Sequence, residues 1–247
     1  MAVAVSSPPH TRRPLEEGAE PEAVSGRPHK WTVDEYLRIG EAGGFEDKVE
    51  LIYGVIVDKW SDGETIEERR HRWTREEYER LAENGAFGDL RVELLDGKVV
   101  DMSPQGSPHN FSLQAVKKAL SELFTEGVDI RVQMAFRLPG NNLLDPDLAI
   151  VPGSFHDYRR DHPSSAFILV EVASTSLRYD QNVKTAAYAA AGVPEYWIIN
   201  IPHACVEVYR DPTPEGEYRT KMTVEPGDTL APLAWPDAAI PVADLLP

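Results

Sequence analysis

Phe167-Ile168-Leu169-Val170-Glu171-Val172 is an apolar run interrupted by one charge. It is too short for a buried helix and too continuous for a strand with one wet face, so it reads as a central strand covered on both sides. A carboxylate in such a strand needs a partner. Upstream, Leu148-Ala149-Ile150-Val151 forms a second short strand, entered through Asp145-Pro146-Asp147. If the two strands are neighbours, Asp147 and Glu171 lie side by side. At about 4 Å and an effective dielectric near 20, two such charges repel by about 4 kcal/mol. A cation or a shared proton must relieve that repulsion. A hard divalent ion with oxygen ligands and retained waters is one solution. Asp180 and Lys184 stand at i, i+4 at the start of a helix expected over 180–191, and share one of its faces. From there the lysine can reach the strand ends and orient a water or stabilise an anion.

Outward from this centre the patterning is mixed. Ile130, Val132, Met134, Phe136 and Leu138 alternate with Arg131, Gln133, Ala135 and Arg137, which predicts one half-buried strand. Ser107 is expected to cap a helix with Pro108 at its first position, carrying Leu113, Val116, Leu120, Leu123 and Phe124 on its apolar stripe. Tyr196–Ile199 and Cys205–Tyr209 read as further strands, and the C-terminal segment as containing a Pro226-Gly227 turn and ending in proline-broken loops. The order describes an α/β protein with a mixed central sheet flanked by helices.

Nearer the N-terminus a unit recurs. Trp31-Thr-Val-Asp-Glu35-Tyr36 and Trp73-Thr-Arg-Glu-Glu77-Tyr78 each hold a capping box and an aromatic pair placed as a hydrophobic staple. Val49-Glu50-Leu51 with Tyr53-Gly54, and Val92-Glu93-Leu94 with Asp96-Gly97, then give each helix a β-hairpin. The expected organisation is a disordered tail over 1–28, a degenerate extra copy of the helix–hairpin unit with its linker over 29–70, and one main domain over 71–247. The charged stretch Glu64–Arg72 is expected to separate the first copy from the rest.

The 247 residues carry 25 basic and 41 acidic side chains, a net charge of −16. That balance excludes broad electrostatic attraction to nucleic acid or anionic membrane, yet allows a local basic groove or an acidic site that captures a divalent cation first. No run approaches the length of a membrane span. The start lacks a signal-peptide pattern, and Cys205 is the sole cysteine. A reducing cytoplasm is the expected compartment.

Pro146-Asp147, Leu169-Val-Glu171-Val-Ala-Ser174-Thr-Ser176, Asp180-x-x-x-Lys184, Tyr188, Gly192-Val193 and Glu195-Tyr-Trp-Ile198 together resemble the Uma-type restriction-endonuclease family of the PD-(D/E)XK superfamily. Trp73-Thr through Gly97, Met102-Ser-Pro104 and His109 resemble its N-terminal region, so the likeness spans about residues 71–210. The resemblance implies a restriction-endonuclease-like core and Mg²⁺-dependent hydrolysis of DNA phosphodiesters, with Mn²⁺ as a substitute ion. Asp147 and Glu171 would be the metal-binding carboxylates, Glu93 a third acidic member of the metal site, and Lys184 the catalytic lysine moved from strand to helix. Ala173 stands where the superfamily pattern expects a strand lysine. His109, Asp180 and Gln133 are further candidates for the site. A homodimer would supply one site per DNA strand. The competing reading is a non-catalytic DNA- or protein-binding regulatory module that kept the nuclease fold.

Overall fold

A computed structural model describes residues 26–45, 48–59, 63 and 65–247. The first unit comprises α1 (Val33–Glu41), β1 (Val49–Ile52) and β2 (Val55–Asp58); the second comprises α2 (Arg75–Glu83), β3 (Val92–Leu95) and β4 (Lys98–Asp101). Both helices begin with the expected capping boxes, Thr32 with Glu35 and Thr74 with Glu77. Each box satisfies two of the backbone N–H groups that a helix start leaves orphaned. Both hairpins turn through a left-handed pair, Tyr53-Gly54 at φ 49° and 79° and Asp96-Gly97 at φ 49° and 66°. The turn thus imposes the same geometry on a tyrosine as on an aspartate.

The two units interlock. The Trp31 and Trp73 N–H groups donate to Gly54 and Gly97 of their own hairpins, whereas those of His29 and His71 donate to Val99 and Ile56 of the other unit's hairpin. The rings cross as well: Trp31 stacks on Phe87 with centroids 6.3 Å apart, and Trp73 tilts against Phe45 at 5.8 Å. Ile39, Val49, Ile56, Leu81, Val92 and Leu94 close one shared apolar cluster around them. Contrary to the expectation from sequence, the charged stretch to Arg72 does not set the first unit apart; its end pairs with β2 through Val57 and Arg70. Residues 1–25 lie outside the described residues, but Pro28 bridges Val100 and Gly26 N–H donates to Asp101. The free edge of β4 is thereby covered.

The main body is a six-stranded mixed sheet. Its strands are β5 (Val128–Val132), β8 (Leu148–Pro152), β9 (Ile168–Ala173), β10 (Glu195–Asn200), β11 (Cys205–Pro212) and β12 (Tyr218–Val224), in the spatial order β12-β11-β10-β9-β8-β5. Only β9 and β10 are parallel. Beyond the expected strands, β12 and a short pairing of Thr229–Leu230 with Ile240–Pro241 flank the expected Pro226-Gly227 turn in the C-terminal segment. Every residue of β9 is buried, as its apolar run requires. Alternation sorts its side chains: Ile168, Val170 and Val172 face α3 (Ser107–Leu123), while Leu169 and Ala173 face the layer that holds Tyr188. Glu171 has the second parity.

Three local expectations change. Gly106, not Ser107, is the N-cap of α3, and it offers no side-chain cap. The alternating stretch from Ile130 to Leu138 is not one strand. It breaks at Gln133, whose φ is 50°, and its second half becomes β6 (Phe136–Leu138). That strand joins β7 (Asn142–Leu144) in a separate four-stranded sheet ordered β4-β3-β7-β6. Period-two patterning cannot register a single left-handed residue that sends the chain into another sheet. Lastly, the expected helix runs as α4 (Leu177–Tyr179), a π-turn over Asp180–Lys184, and α5 (Thr185–Ala190).

Candidate active site

Antiparallel β8 and β9 pair Leu148 with Val170. The next step of that ladder brings Asp147 beside Glu171. Asp147 Oδ2 accepts the Val172 backbone N–H at 2.8 Å and meets His109 Nε2 at 3.0 Å; Oδ1 accepts the amides of Gln133 at 3.0 Å and Gln105 at 3.1 Å. Burial alone would raise this carboxyl. The His109 contact, the Val172 N–H and the Gln133 amide outweigh it and hold Asp147 below the usual aspartate value. The left-handed kink at Gln133 thus aims its amide at the site.

Glu171 is held differently. Its Oε1 accepts from Lys184 Nζ at 2.9 Å and from the Tyr188 hydroxyl at 2.7 Å. Lys184 also stands 3.6 Å from Glu93 Oε2, and the Tyr179 hydroxyl donates to Glu93 Oε1 at 3.0 Å. Glu93 projects here because its neighbours Val92 and Leu94 turn to the opposite face and enter the shared aromatic cluster. The π-turn seats Lys184 between the two glutamates. A π-turn exchanges i→i+4 bonding for i→i+5 and often marks a functional position. Here the Asp180 carbonyl accepts the Thr185 backbone N–H across the turn and, in addition, the Thr185 hydroxyl at 2.7 Å and the Tyr196 hydroxyl at 3.3 Å.

The pocket formed in this way has a volume of about 40 Å³. Its lining includes Glu93, Asp147, Glu171 and Asp180 with Lys184, His109 and, at the rim, Arg91. Carboxylates outnumber the engaged cation, and burial penalises their charge. Burial pushes Glu171 well above the ordinary range despite Lys184, and raises Asp180 to about 7. Burial would lower Lys184, but Glu171, Glu93 and Asp180 hold its proton well beyond the usual lysine range. The site holds more carboxyl groups than its one engaged cation could offset if all were ionised, and burial favours their protonated forms in the absence of a further cation.

That excess suits a hard cation, and the volume fits an ion with one or two waters. Among the described residues, however, no three His, Cys, Asp or Glu side chains form a metal-holding group. Glu93 is engaged by the Tyr179 hydroxyl and by Lys184. A hard cation would fit here only with Asp147 and Glu171 as its carboxylate ligands and waters completing its shell.

Every sequence candidate lies in or against this pocket: Glu93, His109, Asp147, Glu171, Asp180 and Lys184 line it, and Gln133 supports Asp147 from behind. Sequence reading did not single out Arg91, Gln105 or Tyr179 for the site. Nor did it assign Tyr188 a role, although the spacing 180, 184, 188 places it one turn beyond Lys184.

A crystal structure of a putative nuclease belonging to DUF820 from Anabaena variabilis shares the fold, with a TM-score of 0.57 and 14% sequence identity over 70% of this chain and 96% of that one. No curated protein matches. No helix among the described residues is long and apolar enough to cross a membrane. A family model described as putative restriction endonuclease matches residues 75–243, and by that match the chain belongs to the Uma2 family.

Proposed function

We propose that this chain is a divalent-metal-dependent endonuclease that hydrolyses DNA phosphodiester bonds. The observation that carries the reading is the buried cluster of Asp147, Glu171, Asp180 and Lys184, in a chain whose family model is described as putative restriction endonuclease. Asp147 and Glu171 would hold Mg²⁺, or Mn²⁺ in its place. The bound ion would activate a water and offset charge on the scissile phosphate. Lys184 would stabilise the charge that develops on the phosphate, because it is already desolvated and aimed at the pocket. His109, Gln105 and Gln133 fix the Asp147 carboxylate, and Tyr188 fixes that of Glu171, so little reorganisation remains for the reaction. Glu93 anchors the lysine from the other side.

In this reading residues 71–247 form the nuclease domain and 29–70 an additional helix–hairpin copy packed on it, in a cytoplasmic protein. A homodimer would allow both strands to be cut. The net charge of −16 favours a second reading, a regulatory module that keeps the fold without catalysis. Nicking of supercoiled DNA in Mg²⁺ or Mn²⁺, with Asp147→Ala as control, separates the two. Metal-dependent nicking that the variant loses supports the nuclease; equal nicking by both proteins identifies a contaminant.

A further inference from the structure

We propose that Arg91 binds a backbone phosphate of the nucleic acid substrate, next to the phosphate placed over the carboxylate pocket; this rests on the nuclease reading above. Arg91 directly precedes β3 and has the same parity as Glu93, so both belong to the side of the strand that faces the pocket. Of the two long cationic side chains in the lining, Lys184 is buried and ion-paired with Glu171 and Glu93, inside the pocket rather than at its mouth. Arg91 is exposed and has no ion pair or side-chain hydrogen bond among the described residues.

The pocket, at about 40 Å³, is too small to admit a nucleotide. A phosphodiester must therefore stay at the mouth, where Arg91 stands. Gln105 and His109, which flank the start of the 17-residue α3 that lacks a side-chain cap, line the same pocket. The partial positive charge of that helix end adds to the guanidinium. A guanidinium offers two parallel donors to phosphate oxygens, so it positions as well as attracts. In a chain carrying a net charge of −16, one correctly placed cation weighs more than the overall field.

The test uses the full chain and a fluorescent duplex oligonucleotide, with anisotropy measured across a salt series in Ca²⁺ and cleavage measured separately in Mg²⁺. Arg91→Ala and the size-conserving Arg91→Gln should bind about ten-fold more weakly, the loss of one charge-assisted contact. Their log–log salt slope should fall by about 0.9, one phosphate contact. Arg91→Lys should recover part of the affinity, and Mn²⁺ binding by calorimetry should not change. Unchanged affinity and slope in both neutral variants, with DNA still cleaved, would overturn the Arg91 assignment alone. Arg91-dependent binding without cleavage would support it while removing the nuclease reading. A wild-type chain that neither binds nor cleaves the duplex would overturn both.

Discussion

Replacing Lys184 by methionine keeps most of the side-chain length and removes the charge. The wild-type ammonium stands 2.9 Å from Glu171 and 3.6 Å from Glu93, with all three side chains at most 5% exposed. At an effective dielectric near 20 the shorter contact alone is worth about 6 kcal/mol of attraction. Desolvation offsets part of that, and removal of one partner from a buried pair typically costs about 3–5 kcal/mol. For a chain of this size, about 2–4 °C per kcal/mol gives a fall in Tm of about 6–20 °C. The loss should depend on pH. Lys184 itself stays charged through neutrality, since its proton is held beyond the ordinary lysine range. The carboxyls titrate instead: Glu171 rises well above its ordinary 4.5, and Asp180 from 3.8 to about 7. A raised carboxyl leaves the native state binding more protons than the unfolded one, so stability declines as pH rises through that window. Without Lys184 the decline steepens. Thermal melts of both proteins should therefore differ more at pH 8 than at pH 5. An equal or smaller difference at pH 8 would refute the role of Lys184 as counter-ion to the cluster.

Other substitutions probe the supports. His109→Ala deprives Asp147 of a buried charge-assisted partner; Mn²⁺ affinity by calorimetry should drop about ten-fold or more, while unchanged affinity would detach His109 from the site. Gly26 has φ 78°, and a Cβ there would fall on the Tyr179 ring that anchors Glu93. Gly26→Ala should cost about 1–3 kcal/mol in denaturant unfolding, and a neutral result would show that this contact yields freely. Trp31→Ala should cost about 3–5 kcal/mol, because Trp31 is 6% exposed and stacked on Phe87 of the other unit. A loss below about 1 kcal/mol would mean that the first unit contributes little to the shared cluster.

The pocket was legible where chemistry and periodicity coincided. An apolar run with one glutamate marked β9, and Pro146-Asp147 marked the entry to β8. The lysine at i+4 from Asp180 marked the helix face that covers them. The capping boxes located α1 and α2 because they are local, four-residue signals. What sequence did not carry was non-local or conformational. The break at Gln133 preserves perfect alternation on both sides, so no pattern betrays it. The π-turn leaves the helical spacing of Asp180 and Lys184 intact while changing which backbone groups bond. The crossed pairing of His29 with Val99 and of His71 with Ile56 depends on partners tens of residues away. Arg91 escaped notice because a lone exposed arginine before a strand is unremarkable until the pocket beside it is seen. The net charge pointed away from DNA; the resolution offered here is local, through a metal ion at the carboxylates and a guanidinium at their rim.

The central claim is that Asp147 and Glu171 hold a divalent ion that enables phosphodiester cleavage. Its most direct measurement pairs calorimetric Mn²⁺ titration with nicking of supercoiled DNA for the wild type, Asp147→Asn and Glu171→Gln. Both amide substitutions keep side-chain size while removing the charge the ion requires. The account predicts saturable Mn²⁺ binding and metal-dependent nicking by the wild type, with both lost in each folded variant. Mn²⁺ binding and nicking that persist at wild-type level in either variant would contradict it.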